Sequence, residues 1–181
     1  MDTMLLRLFQ RQVADQCRMT LYGVSLLNDG LQRLDQEPAP AMDTIWIAMQ
    51  ILLTGAGNVA KALWGSGGKH STEREPLRRS LGVHDSLPLR EVSMRNHFEH
   101  CDQRLACWWR KSASHIHLDR HLGPPDSVPG LEDKDRFRVF DPATRDVFFW
   151  GECFNVSTIA TAVEELLPRA EAEARKPHWE S

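Results

Sequence analysis

Apolar positions recur along this chain at two different periods, and the change of period organises it. From Asp2 to Asp29, Leu5, Leu8, Val13, Cys17, Leu21, Val24 and Leu27 return at roughly helical spacing, which predicts a first helix. Asn28, Asp29 and Gly30 supply its stop. Leu34 to Ala41 reads LDQEPAPA, and its two prolines mark a connector. A second helix is predicted from Asp43, as N-cap, to Trp64; it is apolar nearly all round and therefore central to a bundle. Gly55 and Gly57 within it each cost about 1 kcal/mol of helix propensity relative to alanine, and they permit a close helix crossing. Gly65 to His70, GSGGKH, is a linker, because a phosphate-binding loop requires Gly-Lys-Ser/Thr between a strand and a helix and here Lys69 precedes His70. Thr72 to Leu81 gives a short helix whose Arg74, Arg78 and Arg79 form the most basic patch of the chain, read first as a solvated face, with phosphate binding as the alternative.

The longest amphipathic stretch follows, Leu87 to Trp109, capped by Asp85 or Ser86 and with Pro88 in its first turn. Projected at ~100° per residue, Met94, Phe98, Cys101, Leu105 and Trp108 form one apolar stripe facing the core. Arg95, Asn96, Glu99, His100 and Gln103 gather opposite, with Leu89 and Val92 among them, so a second face awaits a cover such as another copy of the chain. His97 falls on the flank of the core stripe. Ser112 to Asp135, rich in His, Asp, Pro and Gly, reads as an irregular surface loop. The period then shortens: Arg136 to Phe140 and Asp146 to Trp150 flank the turn DPATR and predict a β-hairpin, extended by Glu152 to Phe154. Ser157 to Arg175, with Ile159, Val163, Leu166 and Leu167 on one face, is a last helix. The expected fold is mainly α: a bundle of four or five helices with a C-terminal β-hairpin and closing helix. It forms a single domain, 1–181, of a bundle (1–111), a loop (112–135) and the hairpin with its helix (136–175).

Composition narrows the class of protein. Of 181 residues, 41% are apolar and 26% charged, as in a globular chain with a real core. A net charge of -3 and a pI near 6.2 exert no general pull on nucleic acid or anionic membrane, so any such contact is local. Cys17, Cys101, Cys107 and Cys153 form no C-x-x-C pair, which fits reduced thiols in the cytoplasm. Arg7 interrupts the apolar run at the N-terminus, so no signal-peptide core is expected. Thr44 to Ala60 is uncharged but too short to span a bilayer, and no membrane association is expected.

The polar face of Leu87–Trp109 carries the most suggestive chemistry. Guanidinium binds phosphate through fixed, paired donors and stabilises developing charge. Imidazole exchanges a proton near neutral pH. Arg95 and His100 supply this pair, and Asn96 is placed to orient either. Two further pairs, Arg79 with His84 and Arg110 with His115, have the same spacing, so what distinguishes the middle one is Asn96 and the mid-helix position. Asn58 and Lys61, near the end of the second helix, complete a phosphate site if that end lies beside Arg95, and Glu99 joins them in substrate binding. The plainer alternative keeps Arg95 and Glu99 as a surface pair at i and i+4 worth about 0.3 kcal/mol, with Lys61 snorkelling from the bundle. His97, His100, His115, His117 and His121 offer imidazoles for a metal, yet His97 and His100 point apart, and no metal site is expected. Trp108 and Trp109 are candidates to stack bases, but their spacing from Leu105 places them at the core and its edge.

The run RNHFEH, Arg95 to His100, resembles the active-site motif of HEPN-domain proteins, in which an arginine and a following polar residue precede a histidine on a helix. The wider stretch LWGSGGKHSTEREPLRRSLGVHDSLPLREVSMRNHFEHCDQRL is similar to uncharacterised bacterial proteins sharing that segment. The resemblance spans about Met42 to Trp109. It implies an all-α homodimer with the Arg95/His100 faces opposed, acting without metal or cofactor as an endoribonuclease through 2′-hydroxyl attack. It also implies a toxin-antitoxin or phage-defence setting with an antitoxin partner. His100 would then be general acid or base, Arg95 the phosphate ligand, Asn96 their positioner, and Glu99 a tuner of His100. The alternative within the same family is a non-catalytic module that binds a protein or nucleotide.

Overall fold

A computed structural model describes residues 1–65, 69–91 and 93–179. They fall into two compact units, Met1–Val92 with Thr158–Ser181, and Ser93–Ser157. These units divide the chain at other points than the 1–111, 112–135 and 136–175 subdivision read from sequence. The chain is mainly helical, with one small sheet and a closing helix, as the sequence implied.

The first unit is built on an antiparallel pair, α1 (Thr3–Arg33) and α2 (Pro38–Trp64). Asp2 caps α1, its carboxylate accepting from the backbone N–H of Met4 at 2.9 Å and of Leu5 at 3.3 Å. Gly30 does not stop α1. It lies in the helix interior where a side chain would strike Ile45. Nor is LDQEPAPA a connector throughout: Pro38 opens α2 at a position where a missing N–H costs nothing, and Glu37 replaces Asp43 as its N-cap. The buried face of α1 also differs from the apolar stripe expected. Leu5 and Leu8 are exposed, whereas Arg7, Gln10 and Thr20 are buried with Val13, Cys17 and Leu27. Each buried polar group has a partner: Arg7 Nη1 donates to Gln10 Oε1 at 2.9 Å, Gln10 Nε2 to Ser80 Oγ at 2.8 Å, and Thr20 Oγ1 to the Gln16 carbonyl at 2.9 Å. Two short helices, α3 (Lys69–Glu73) and α4 (Glu75–Ser80), follow, and residues 66–68 of the GSGGKH linker lie outside the described residues. The C-terminal helix α7 (Val156–Ala174) returns to this unit, where Glu171 pairs with Arg18 at 2.7 Å.

The second unit holds α5 (Ser93–Glu99), α6 (Cys101–Lys111) and four strands. The hairpin is present as β2 (Val139–Asp141) and β3 (Asp146–Phe149), turned by DPATR, where the Asp141 carboxylate accepts from Ala143 N–H at 2.9 Å. It is enlarged on both sides. β4 (Glu152–Asn155) pairs antiparallel with β3, and β1 (His121–Leu122), from the stretch expected to be an irregular loop, pairs parallel with β2. Among the described residues no helix is long and apolar enough to cross a membrane.

Candidate functional site

Leu87–Trp109 is not one helix. Pro88–Arg90 forms a single 3-10 turn, Glu91 is extended with φ -75° and ψ 123°, and α5 and α6 meet at His100, whose φ of -109° and ψ of 33° depart from helical values. The hydrogen-bond ladder still runs through the junction, from His100 N–H to Asn96 O and from Arg104 N–H to His100 O, both at 3.0 Å. The break is thus a one-residue kink, made without the proline or glycine that usually marks one. Burial on the two sides of it departs from the straight projection. Leu105, expected in the core stripe, is 39% exposed, and Arg95, expected outside, is 8% exposed.

The RNHFEH residues take distinct roles. Arg95 Nη2 lies 2.6 Å from Glu99 Oε1, and its Nη1 donates to Asn96 Oδ1 at 3.4 Å. Arg95, Asn96 and Glu99 are therefore brought together, with the guanidinium nearly enclosed. His100, at the kink, is exposed and has no side-chain partner among the described residues. Asn58 and Lys61 belong to the first unit, where Asn58 Nδ2 donates to Gln16 Oε1 at 3.0 Å and Lys61 is exposed. Leu89 is 1% exposed, so the apolar residue that pointed to a second copy is already covered within one chain. Its companion Val92 lies outside the described residues.

His97 has the most fully formed surroundings. Its ring stacks on Phe149 at 4.9 Å and 9°, its Nδ1 accepts from Arg104 Nε at 2.9 Å, and its Nε2 lies 3.0 Å from Glu152 Oε1. Because Nδ1 accepts, the ring proton sits on Nε2, which is buried close to the carboxylate without being aligned on it as a hydrogen bond. A hydrogen bond from Ser93, opposed by burial and reinforced by His97 and Arg104, holds the Glu152 carboxyl below its ordinary value. One nitrogen of His97 is bonded and the other is enclosed at ion-pair distance from Glu152, which makes the ring a tie between α5, α6 and β4 with neither nitrogen open to substrate. Neither Glu152 nor Arg104 stood out in the sequence, since nothing local marks them as partners of His97.

A second polar node closes the end of α6. Asp135, 1% exposed, accepts from Trp108 Nε1 at 2.9 Å, Ser112 Oγ at 2.6 Å and Ser114 Oγ at 3.1 Å. Burial pushes its carboxyl up, but the bonds from Ser112, Trp108 and Ser114 outweigh burial and hold it below the usual carboxylate range. Close by in sequence, the two tryptophans separate: Trp108 is 8% exposed and Trp109 64%. All four cysteines are free, and Cys17 is pushed up to about 12 by burial, which leaves it a packing residue. Among the described residues no three His, Cys, Asp or Glu side chains converge as metal ligands.

No protein-family model, curated protein or solved structure matches the chain.

Proposed function

We propose that the chain is a HEPN-like endoribonuclease whose catalytic group is His100. The observation that carries this reading is the exposed, unpartnered imidazole at the α5–α6 kink, directly following the Arg95–Asn96–Glu99 cluster in a motif of HEPN type. In the reaction the 2′-hydroxyl of one nucleotide attacks the adjacent phosphorus, and the bond from phosphorus to the 5′-oxygen breaks. The products are a 2′,3′-cyclic phosphate and a 5′-hydroxyl. His100 takes the 2′-hydroxyl proton or supplies one to the leaving oxygen, and Arg95 neutralises the phosphorane. Asn96, bonded to Arg95, positions the guanidinium. The reading carries with it a cytoplasmic setting, an antitoxin partner and pairing of two copies at the Arg95/His100 face; a monomer in light scattering at micromolar concentration removes the composite dimer site.

One observation favours a second reading. The Arg95 side chain is 9% exposed and held at 2.6 Å by Glu99, so phosphate must displace a carboxylate to reach it. In that reading the pair is structural, and the same surface of a non-catalytic HEPN-like module meets a protein or nucleotide through His100. Incubation with an RNA pool in EDTA separates the two. The catalytic reading expects cleavage that falls about a hundredfold in His100→Ala and comparably in Arg95→Ala, and that rises in Glu99→Gln as the competing carboxylate is removed. Cleavage unchanged in both alanine variants removes the assignment, and no cleavage by the wild-type protein selects the module.

A further inference from the structure

The exposed tryptophan at the end of α6 stands at the outer end of a continuous aromatic array. From the buried side, Phe137 meets Phe149 at 5.0 Å and His117 at 4.4 Å; His117 meets Trp108 at 5.0 Å, Trp108 meets His115 at 6.0 Å, and His115 meets Trp109 edge-on at 4.4 Å. The ring that Trp109 meets is itself held by hydrogen bonds. His115 donates its Nε2–H to the Trp109 carbonyl at 3.1 Å, satisfying a carbonyl that the end of α6 leaves without a helical partner. His115 adopts a φ of 51°, unusual for a residue with a side chain, and its N–H donates to Ser112 Oγ at 3.0 Å, the hydroxyl anchored on Asp135. A surface indole is ordinarily mobile and costs entropy to immobilise when it binds. This one is restricted in advance by the rings of His115 and Trp108, while the residue stays 64% exposed.

Along the chain, the charges nearest to it have one sign, while the Asp135 carboxylate close by is buried and taken up by its own hydrogen bonds. Between Asp102 and Asp119 the chain carries no carboxylate, and it carries Arg110 and Lys111 immediately after Trp109. Both are exposed, and neither has an ion-pair partner among the described residues. By contrast Arg95, Lys134, Arg136 and Arg138 of the same unit all pair with acids. Free cations beside a restricted, exposed aromatic ring are what a single nucleic-acid strand requires, because every base has a face to stack and every linkage a negative charge. Leu105 and Ile116 add apolar surface nearby, 39% and 56% exposed. A protein partner would use them as well, but it would need carboxylates of its own placed opposite the two cations, whereas every linkage of a nucleic-acid strand carries the negative charge.

We infer that Trp109, seated on His115 and flanked by Arg110 and Lys111, is a binding platform for single-stranded RNA, with an unpaired base stacked on the indole and adjacent phosphates held by the two cations. The choice of RNA over DNA rests on the endoribonuclease reading above; the platform itself does not.

The test uses the full-length protein and a short fluorescein-labelled uridine oligomer bearing 2′-O-methyl groups, which cannot supply the attacking hydroxyl, so that binding is read by anisotropy whether or not the protein cleaves. Wild type is expected to bind the single strand more tightly than a duplex of equal length. Trp109→Ala loses about tenfold in affinity and Trp109→Phe much less. Arg110→Ala with Lys111→Ala weakens binding and makes its dependence on log salt shallower by about 1.4. Because Trp109 is exposed, an unchanged melting temperature shows that the fold survives its replacement. Equal affinity of wild type and Trp109→Ala overturns the platform, as does the absence of single-strand binding. Wild-type self-association that Trp109→Ala abolishes, without RNA binding, reassigns the patch to a protein interface. The endoribonuclease reading stands or falls separately, on His100→Ala in the cleavage assay.

Discussion

Replacing Asp135 by alanine is expected to lower the unfolding free energy by about 4 kcal/mol. The carboxylate is 1% exposed and accepts from Trp108 and Ser112, themselves 8% and 5% exposed, and from Ser114. Truncation leaves the Trp108 N–H and the Ser112 hydroxyl enclosed without acceptors, at about 1–3 kcal/mol for each, and adds a small cavity. Asp135→Asn keeps the shape and one acceptor oxygen. Its amide N–H groups, however, face the Glu132 backbone N–H, which the carboxylate accepts from at 3.4 Å. A loss of about 2 kcal/mol is expected there. Urea unfolding followed at two wavelengths checks both, and an alanine variant within about 1 kcal/mol of wild type would mean that the node can be re-solvated cheaply.

The same group sets a pH dependence. The folded Asp135 carboxyl is held below its ordinary value, so the unfolded chain binds the proton more readily than the folded one. Its contribution is therefore present above the unfolded value, near ~3.9, and is lost as pH falls through the lower folded value. The stability difference between wild type and Asp135→Asn is expected to be constant near neutrality and to shrink below about pH 4. Since Ser112 also fixes His115, loosening this node should disturb the Trp109 platform as well, a coupling that anisotropy with the Asn variant would reveal.

What was legible in the sequence depended on how local its cause was. The DPATR turn announced the hairpin because Asp141 and the turn it closes lie within five residues of each other, with Arg145 N–H returning to the Asp141 carbonyl at 2.8 Å. The closing helix was legible through its apolar spacing. The face of α1 was not, because Arg7 and Gln10 are buried by virtue of partners on distant elements, Glu173 and Ser80, which hydropathy cannot anticipate. The kink at His100 carries no proline or glycine, so the motif helix was read as straight, and nothing in the sequence around Arg95 announces that its guanidinium is enclosed. His97 was rightly moved toward the core, but its partner Glu152 lies 55 residues on. Asp135 fell in a stretch that composition marked as irregular, and its role emerges only when Trp108 and Ser112 converge on it.

Alanine at both Gly23 and Gly55 is expected to destabilise the first unit by about 3 kcal/mol, although each change taken alone in an isolated helix would favour it by about 1 kcal/mol. The reason is the closeness of α1 and α2. A side chain at Gly23 would meet the Leu52 backbone nitrogen at 2.7 Å and its Cα at 2.9 Å, and one at Gly55 would meet Thr20 Oγ1 at 2.5 Å and the Thr20 nitrogen at 2.9 Å. Backbone cannot rotate aside as a side chain does, so the helices must separate, and neighbours such as Leu52 and Leu53, each at most 1% exposed, lose contacts along the pair. One separation relieves both clashes. Each single variant should therefore cost about 2 kcal/mol net, and the double less than their sum. A double variant more stable than wild type would show that the two helices stand further apart than these distances allow.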